Sequence, residues 1–249
     1  MLYLVGLGIG GCKAITLQGL GAVKQCDKVY LEVYTSFFDS VSELENLVGK
    51  KIFVVGRDFV ESGDVILSEA KDNNVAFLVV GDPLCATTHW DLLRRAKENN
   101  IPVEVVHNAS IVSSVGSTGL QVYKFGKITS IPFSDSEVIV ETPYNVLKEN
   151  LSIGAHTLFL LDLRPDENRF MSVHDAVEHL LKIEKLKKEN LFNEDTFCIG
   201  CARIGFSDEF IKAGKARELL NVDFGRPVHC LIVPGKLHFM EEEALRLFQ

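Results

Sequence analysis

Short apolar runs alternate with helical patterns through the first hundred residues, and this alternation constrains the fold more than any other feature. The apolar runs that read as strands are residues 2–8, 28–34, 52–56, 75–81 and 103–108. The intervening stretches with helical periodicity are residues 16–25, 41–48, 64–72 and 91–99. Continuous apolar strands separated by helices indicate a parallel sheet covered on both faces. We therefore predict an α/β domain in this half of the chain.

The pattern changes after Asn108, where residues 109–119 are small, hydroxyl-rich and punctuated by glycine, as in a hinge or ligand loop. The later strand-like runs are residues 127–133, 156–163, 196–205 and 227–235. Helices are predicted over Ser172–Lys188, Asp208–Leu220 and residues 240–248, the first with a capping box formed by Ser172 and Asp175. Strand-rich sequence with grouped helices indicates an α+β domain with a mixed sheet. We predict two domains, residues 1–109 and 110–249.

The balance of acidic and basic residues indicates which kinds of binding partner the chain can have. The chain has 26 Lys and Arg against 34 Asp and Glu, a formal net charge of -8. Non-specific nucleic-acid affinity is mostly counterion release onto Lys and Arg, so we predict no direct nucleic-acid binding. No run approaches the ~18 apolar residues that span a bilayer, and the apolar N-terminus lacks a basic leader. We expect a cytoplasmic protein without membrane contact.

The cysteines include one closely spaced pair, Cys198 and Cys201. A structural zinc site needs four ligands, and no second pair or nearby histidine cluster supplies the other two. A thioredoxin-like pair opens a helix, whereas this pair lies in a β-prone segment. We therefore expect reduced structural thiols and no metal.

The loop after the first predicted strand contains Gly6, Gly8 and Gly11 at the spacing of the dinucleotide-binding fingerprint. Glu32, at the end of the second predicted strand, is placed where such a fold binds a ribose. Glycine also lets a chain turn with positive φ and approach another group closely. An NAD-dependent oxidoreductase, a site for a different adenosine-containing ligand and a plain strand-to-helix turn all remain open at this point.

Two more loops follow predicted strands, G-D-P-L-C-A-T-T-H at residues 81–89 and H-N-A-S-I at residues 107–111. Ligands bind beyond the carboxyl ends of strands in open parallel sheets, so these loops and the glycine loop predict a binding site. Asp82 is placed to accept charge-assisted hydrogen bonds from hydroxyl or ammonium groups of a ligand. The alternative role for Asp82 is to cap the following helix.

Taken in order, these motifs resemble the diphthine synthases. The resemblance is carried by GLGIGG, EVYTS at 32–36, GDPLCATTH, VVHNASIVSSVGSTGLQVYKFGKITSIPF at 105–133, HTLFLLDL, CARIG and NVDFGRPVHCLIVPGKLH at 221–238. It spans essentially the whole chain. Diphthine synthases belong to the tetrapyrrole-methylase-like class of S-adenosylmethionine-dependent methyltransferases. The resemblance implies the two-domain fold of that class, with the methyl donor folded in a cleft between the domains.

The resemblance also implies which residues line the donor pocket. They are Ile9, Asp82, Cys85, Ser110, Ile111, Leu161, Ile204 and His229. Cys85 stands where relatives often have glycine, so its side chain could crowd the pocket. Without the family pattern, Ile9, Leu161 and Ile204 read as core residues and His229 as a core histidine.

The activity implied by the resemblance is repeated methylation of the amino group of 3-amino-3-carboxypropyl-histidine on translation elongation factor 2. The product is diphthine, in diphthamide biosynthesis, and the sequence leaves three or four methyl transfers open. His89, His107 and Glu32 are candidate bases by their position at predicted strand ends. We also predict a homodimer. The alternatives are a tetrapyrrole methyltransferase, disfavoured by ATTH in the Gly-Asp-Pro loop, and an NAD-dependent oxidoreductase.

Overall fold

A computed structural model describes residues 1–38, 40–134 and 139–249. The chain forms two compact units, Met1–Ser113 and Ser114–Gln249, called unit 1 and unit 2 below. No helix within the described residues is both long enough and apolar enough to cross a membrane.

Unit 1 contains a parallel sheet of five strands. They are β1 (Leu2–Gly6), β2 (Lys28–Glu32), β3 (Phe53–Val55), β4 (Val75–Val79) and β5 (Val103–Val106). The spatial order is β3-β2-β4-β1-β5, and every neighbouring pair is parallel. Every residue of β1 and β4 is buried, which explains their continuous apolar sequences. The predicted parallel sheet is confirmed.

Helices cover both faces of this sheet. They are α1 (Leu17–Lys24), α2 (Val41–Val48), α3 (Arg57–Ser62), α4 (Asp64–Asp72) and α5 (Trp90–Glu98), followed by the short α6 (Ile111–Ser114) where the units divide. Side chains alternate along each strand, so Leu4 and Phe77 enter one apolar cluster while Val5 and Leu78 enter another. The two-sided core matches the prediction.

Unit 2 contains a mixed sheet and a small hairpin. Its strands are β6 (Thr129–Ile131), β7 (Thr157–Leu161), β8 (Leu163–Arg164), β9 (Arg169–Phe170), β10 (Phe197–Ala202), β11 (Phe210–Lys215) and β12 (His229–Val233). The sheet order is β11-β10-β12-β7-β6, with β6 and β7 parallel and the other neighbours antiparallel. Strands β8 and β9 form the hairpin. The predicted mixed sheet is confirmed.

The helices of unit 2 are α7 (Thr142–Ser152), α8 (Val173–Lys187), α9 (Ala216–Leu219) and α10 (Phe239–Leu245). The predicted capping box of α8 is confirmed, because the Asp175 N–H donates to Ser172 Oγ at 3.2 Å and the Ser172 N–H donates to Asp175 Oδ2 at 2.8 Å. This reciprocal pair satisfies two backbone donors at the start of the helix.

The helix predicted over Asp208–Leu220 is wrong. Residues Phe210–Lys215 form the edge strand β11, and the helix is confined to Ala216–Leu219. Ile211 and Ala213 are buried opposite Cys201 and Ile199 of β10. Pairing with β10 and burial of alternate side chains outweigh the helix-forming residues in this stretch, because strand preference is set largely by packing.

The cysteine pair lies on strand β10, where Cys198 and Cys201 are three positions apart. Side chains an odd number of positions apart on a strand point to opposite faces, so these two thiols do not converge on one ion. Cys201 instead faces Cys230 of β12, and a hydrogen bond donated by the Cys201 thiol to Cys230, together with burial, raises the pKa of Cys201. Six cysteines are free thiols, five buried and Cys85 half-buried. No cluster with the composition of a metal site occurs in the described parts of the chain.

Candidate functional site

Backbone hydrogen bonds join the loops that follow β1 and β4 in unit 1. The Gly8 N–H donates to Gly81 O at 3.0 Å, and the Gly81 N–H donates to Gly8 O at 2.9 Å. The Leu7 N–H also donates to Val79 O at 2.8 Å. The two loops are therefore fixed to each other beyond the strand ends without help from side chains.

Gly6 and Gly8 have no space for a side chain because other loops lie against them. A Cβ atom on Gly6 would lie 2.6 Å from Gly81 O and 3.0 Å from the Asn108 Cβ. Gly8 has φ +74°, and its Cβ would lie 2.9 Å from the Asn108 amide. Close approach of polypeptide therefore accounts for both glycines without a dinucleotide.

We expect Gly6→Ala to lower the free energy of unfolding by about 1–3 kcal/mol. The added methyl group would overlap the Gly81 carbonyl oxygen, which is held in place by its hydrogen bond from the Gly8 N–H. Gly21→Ala is the matched control in α1. A Cβ there meets nothing within 4 Å, so the same substitution should stabilise the protein by about 0.5–1 kcal/mol. Chemical denaturation measures both variants, and equal effects would contradict the packing explanation.

Helix α1 does not begin where a dinucleotide fold requires it. A 3₁₀ turn at Cys12–Ala14 follows Gly11, and α1 starts only at Leu17, where Thr16 Oγ1 accepts the Gly19 N–H at 2.9 Å. In the dinucleotide fold the helix opens at the glycines and its N-terminus receives the pyrophosphate. The glycine loop of this chain lacks that arrangement.

Glu32 is also unsuited to binding a ribose. Its side chain is fully buried, and its carboxylate accepts the N–H groups of Tyr34 and Thr35, both at 3.0 Å, as well as the Thr35 hydroxyl. Burial raises the pKa of Glu32. These bonds give Glu32 a structural role in its own loop, so the geometry does not support the NAD alternative or the use of Glu32 as a base.

Asp82 links the loops that follow β4 and β5. Its Oδ1 accepts the Leu84 N–H at 2.9 Å, while its Oδ2 accepts the Asn108 N–H at 3.1 Å and lies 2.7 Å from His107 Nδ1. Burial opposes ionisation, but these bonds, first among them that from Leu84, hold the pKa of Asp82 below its usual value. The carboxylate forms an Asx turn with Leu84, and helix α5 begins only at Trp90.

Asn108 joins the same group of loops, and sequence reasoning did not select it. Its Nδ2 donates to Gly6 O and to Ala14 O, both at 3.0 Å, and its Oδ1 accepts the Ala109 N–H at 2.8 Å. The sequence feature that could have identified Asn108 is its position as a polar residue just after a buried strand, beside the Ala-Ser-Ile motif. Asn108 holds the β5 loop against the glycine loop.

Unit 1 brings Cys85 and Ser110 together beside Gly81. Ser110 is 7% exposed, its Oγ donates to Cys85 Sγ at 3.1 Å, and a Cβ on Gly81 would lie 3.8 Å from the Ser110 Cβ. Ile9 lies between two glycines of the first loop and Ile111 is the first residue of α6, and both are half-buried. Four of the five predicted pocket residues of unit 1 therefore lie on three neighbouring loops, and Ile111 begins the short helix that follows the third of them.

The three predicted pocket residues of unit 2 share one end of its sheet. His229 begins β12 opposite Ala202, which ends β10, and Ile204 follows just beyond. Leu161 ends β7, the other neighbour of β12. Leu161 and Ile204 are buried, so these two residues also serve the core.

His229 has a buried nitrogen that no described residue satisfies. Its Nε2 lies 3.0 Å from the carbonyl oxygen of Arg226, so Nε2 carries the proton and Nδ1 offers a lone pair. Nδ1 is buried and without a hydrogen-bond partner within the described residues. Burial lowers the pKa of His229, which keeps the ring neutral. A ligand that donates an N–H or O–H here would remove the cost of an unsatisfied acceptor.

The two candidate histidine bases have different surroundings. His89 is buried, its Nδ1 lies 3.2 Å from Pro83 O, and its Nε2 lies 3.3 Å from the Tyr34 hydroxyl. Burial lowers the pKa of His89 to about 4, so its ring is neutral near pH 7. His107 has a largely exposed ring that is paired with Asp82. Both rings hold loops together at the site.

Comparison with known proteins decides the family. The family described as tetrapyrrole (corrin/porphyrin) methylases matches residues 1–220. The diphthine synthase of Methanocaldococcus jannaschii is 48% identical, over 99% of this chain and 98% of that protein. The chain belongs to the diphthine synthase family. As a tetrapyrrole methylase it is a methyltransferase, and the predicted resemblance and fold class are confirmed.

Two further relatives of this diphthine synthase family member agree. A probable diphthine methyl ester synthase of Arabidopsis thaliana is 46% identical, over 100% of this chain and 98% of that protein. A crystal structure of a diphthine synthase superposes with a TM-score of 0.90 at 39% identity, covering 99% of this chain and 95% of that one. The similarity therefore extends over both units.

Proposed function

We propose that this enzyme transfers methyl groups from S-adenosylmethionine to the amino group of 3-amino-3-carboxypropyl-histidine on translation elongation factor 2, forming diphthine. The near full-length identity of 48% to a diphthine synthase carries the proposal. The loop geometry of unit 1 does not support the NAD alternative, because the glycines pack against polypeptide and Glu32 is engaged in its own loop.

Donor binding is proposed for the eight residues that the sequence predicts. They are Ile9, Asp82, Cys85, Ser110 and Ile111 of unit 1, and Leu161, Ile204 and His229 of unit 2. The chemistry of these side chains fits S-adenosylmethionine. The unsatisfied His229 Nδ1 would accept a hydrogen bond from the adenine amino group or a ribose hydroxyl, and the ionised Asp82 contributes negative charge suited to a cationic ligand.

The chemical step requires positioning more than acid–base help from the protein. When bound, S-adenosylmethionine supplies a methyl group already activated on a sulfonium. Residues that align an amine with that carbon lower the barrier by up to about 7–11 kcal/mol in the best oriented systems. His89, with its pKa near 4, is too weak a base to take a proton from an ammonium group. We propose that the amine releases its proton to water.

The decisive experiment incubates the enzyme and labelled S-adenosylmethionine with elongation factor 2 that carries the aminocarboxypropyl group, followed by mass analysis. We expect mass increments of successive methyl groups on the modified histidine, and their number separates three transfers from four. The same factor with an unmodified histidine is the control and should gain none. Binding of NAD in preference to the donor, or methylation of a tetrapyrrole alone, would refute the proposal. The homodimer and the cytoplasmic location stay predictions.

A further inference from the structure

Arg203 is a buried cation directly after β10, at the end of the sheet in unit 2 where three proposed donor residues lie. The residue is 8% exposed. Its Nη1 donates to Phe224 O at 2.7 Å and also to Arg226 O, and its Nε lies 2.8 Å from Asp208 Oδ2. A charge is costly to bury unless it is paired and hydrogen-bonded, and these contacts meet that requirement. The guanidinium therefore joins the segment after β10 to the turn before β12.

The backbone of Arg203 adopts a left-handed conformation, with φ +53°. Glycine takes up this conformation readily, whereas a residue with a Cβ does so rarely and at a cost. A hydrogen bond helps to hold the residue in place, since the Arg203 N–H donates to Val228 O at 2.9 Å. Strained residues of this kind cluster at functional sites, where the structure around them compensates for the strain. The conformation therefore suggests a role for the side chain.

The carbonyl oxygen of Arg226 links Arg203 to His229. It accepts a hydrogen bond from Arg203 Nη1 and another from His229 Nε2, the latter at 3.0 Å. A carbonyl oxygen has two lone pairs, so it can accept both bonds. Arg203 thus fixes the acceptor that keeps the proton of His229 on Nε2. The other ring nitrogen, Nδ1, is then an acceptor, and it is the buried nitrogen without a hydrogen-bond partner within the described residues.

Arg203 also affects the surroundings and the protonation of the His229 ring. The Phe224 carbonyl oxygen accepts a hydrogen bond from Arg203, and the Phe224 ring lies 5.9 Å from the His229 ring, centroid to centroid. Burial is the largest cause of the lowered pKa of His229. The Arg203 charge lowers this pKa further, while the Arg226 carbonyl and the Asp223 carboxylate oppose the change. A protonated ring would have two donors and no acceptor, so Arg203 favours the form that can accept a hydrogen bond.

We propose that Arg203 is a positioning residue for the methyl donor: it holds His229 in the neutral Nε2–H form, so that Nδ1 accepts a hydrogen bond from the adenosine part of the donor. Arg203 acts through His229 and the turn before β12, and not through a contact of its own with the donor. The inference rests on the proposed function, because it takes His229 as a donor-binding residue. It adds the reason why this histidine recognises a ligand group that donates an N–H or O–H.

The direct readout is the NMR spectrum of the histidine side chains in the full-length enzyme labelled with nitrogen-15, recorded without donor. His229→Ala assigns the signal. We expect His229 of the wild type to be neutral near pH 7, with its proton on Nε2. In Arg203→Met we expect a mixture of the two neutral tautomers and a pKa that moves up toward the ordinary 6.5. Arg217→Met, which removes a half-exposed arginine paired with Asp195, is the matched control and should leave the signal unchanged.

Donor affinity gives the second readout, measured by calorimetry with S-adenosylmethionine. Arg203→Met should bind it about tenfold more weakly, which is the effect of weakening one hydrogen bond. Arg203→Lys should recover part of the loss, since lysine keeps the charge but not the guanidinium fork. In a His229→Ala background, Arg203→Met should have little further effect, because the two residues act through the same hydrogen bond.

Analogues of S-adenosylhomocysteine identify the ligand group that donates to His229. One analogue lacks the adenine amino group and the others lack one ribose hydroxyl each. Loss of the donating group should weaken binding to the wild type but not to His229→Ala. If every analogue affects the two proteins equally, His229 accepts no bond from the adenosine part and the inference is overturned.

The wild-type spectrum alone can also overturn the inference, if His229 is protonated near pH 7 or carries its proton on Nδ1. An unchanged His229 signal in Arg203→Met would have the same meaning, as would an equal effect of Arg203→Met on donor affinity with and without the His229 ring. Failure of the proposed function is distinguishable, because it shows as a wild-type enzyme that binds no S-adenosylmethionine or transfers no methyl group.

Discussion

Replacing Glu241 by alanine is expected to lower the free energy of unfolding by about 3–5 kcal/mol, as removal of one partner from a buried ion pair does. Glu241 is fully buried at the start of α10. Its Oε1 accepts the Gln121 N–H at 2.9 Å and lies 3.0 Å from His156 Nε2, while its Oε2 accepts the His238 N–H at 2.8 Å and pairs with the Lys124 ammonium. One carboxylate therefore satisfies four donors from three segments of unit 2.

His156 cannot compensate for the lost carboxylate. Its ring is fully buried, and its Nδ1 accepts the Gly235 N–H at 3.0 Å, so its proton is on Nε2 and points at Glu241. Burial lowers the pKa of His156 despite the neighbouring carboxylate, which keeps the ring neutral. In Glu241→Ala this N–H would be buried without an acceptor, which adds to the cost.

Chemical denaturation checks this prediction, with Glu243→Ala as the matched control. Glu243 is exposed on the same helix, and its removal should change the free energy of unfolding by less than about 0.5 kcal/mol. A loss for Glu241→Ala that is no larger than that of the control would show that the network contributes nothing. Glu241→Gln should fall between the two, because it keeps one acceptor oxygen but turns an amide N–H₂ toward the ammonium or the imidazole.

The same network predicts acid sensitivity. Burial would raise the pKa of Glu241, but the Lys124 ammonium and the other donors hold it at about 2, below the ordinary 4.5. A carboxyl with a lowered pKa contributes its stability above pH 4.5 and loses it as the pH falls from 4.5 toward 2. The difference in stability between wild type and Glu241→Gln should therefore shrink across that window, and a constant difference would contradict the assignment.

Asp82→Ala is expected to weaken donor binding about 10- to 100-fold. Hydrogen bonds to charged groups contribute about 1.5–3 kcal/mol each, and the substitution leaves the N–H groups of Leu84 and Asn108 without their acceptor. The loops that carry Cys85 and Ser110 would then lose a fixed position, and a negative charge suited to a cationic donor would also disappear.

Calorimetry with S-adenosylmethionine measures the affinity, and thermal unfolding of the same samples reports the structural cost. Asp72→Ala, an exposed carboxylate at the end of α4, is the control and should leave both unchanged. Asp82→Asn keeps one acceptor oxygen and should lose less affinity than the alanine variant. A lowered melting temperature with full donor affinity would restrict Asp82 to holding its loop.

Much of the fold was predictable because strands that are buried on both faces have continuous apolar sequences. Leu4, Phe77 and their neighbours are apolar at successive positions since both faces of the parallel sheet are covered. Helix α7 was not predicted, because its buried face is not wholly apolar. That face includes Asn150, whose Nδ2 donates hydrogen bonds to Lys127 O and Thr157 Oγ1. Edge strand β11 was misread as helix because its pairing with a distant strand is invisible to local periodicity.

The sequence was sufficient to select the loops of the candidate site, but not the hydrogen bonds between them. Asp82 stood out as a carboxylate after a buried strand, but its partners His107 and Asn108 come from another loop, and local sequence does not specify contacts across that separation. The unsatisfied Nδ1 of His229 is likewise a property of packing, since the residue sits in an apolar strand that reads as ordinary core.

The reciprocal backbone bonds between Gly8 and Gly81 have a thermodynamic consequence for recognition. Together with the Asn108 amide, they settle the conformation of the loops before any ligand arrives. Binding of a ligand to these loops then costs little further conformational entropy of the backbone. More of the free energy gained from contacts with the ligand therefore contributes to affinity. Preorganisation of this kind favours a binding surface with one fixed conformation over a surface that changes its conformation for each ligand.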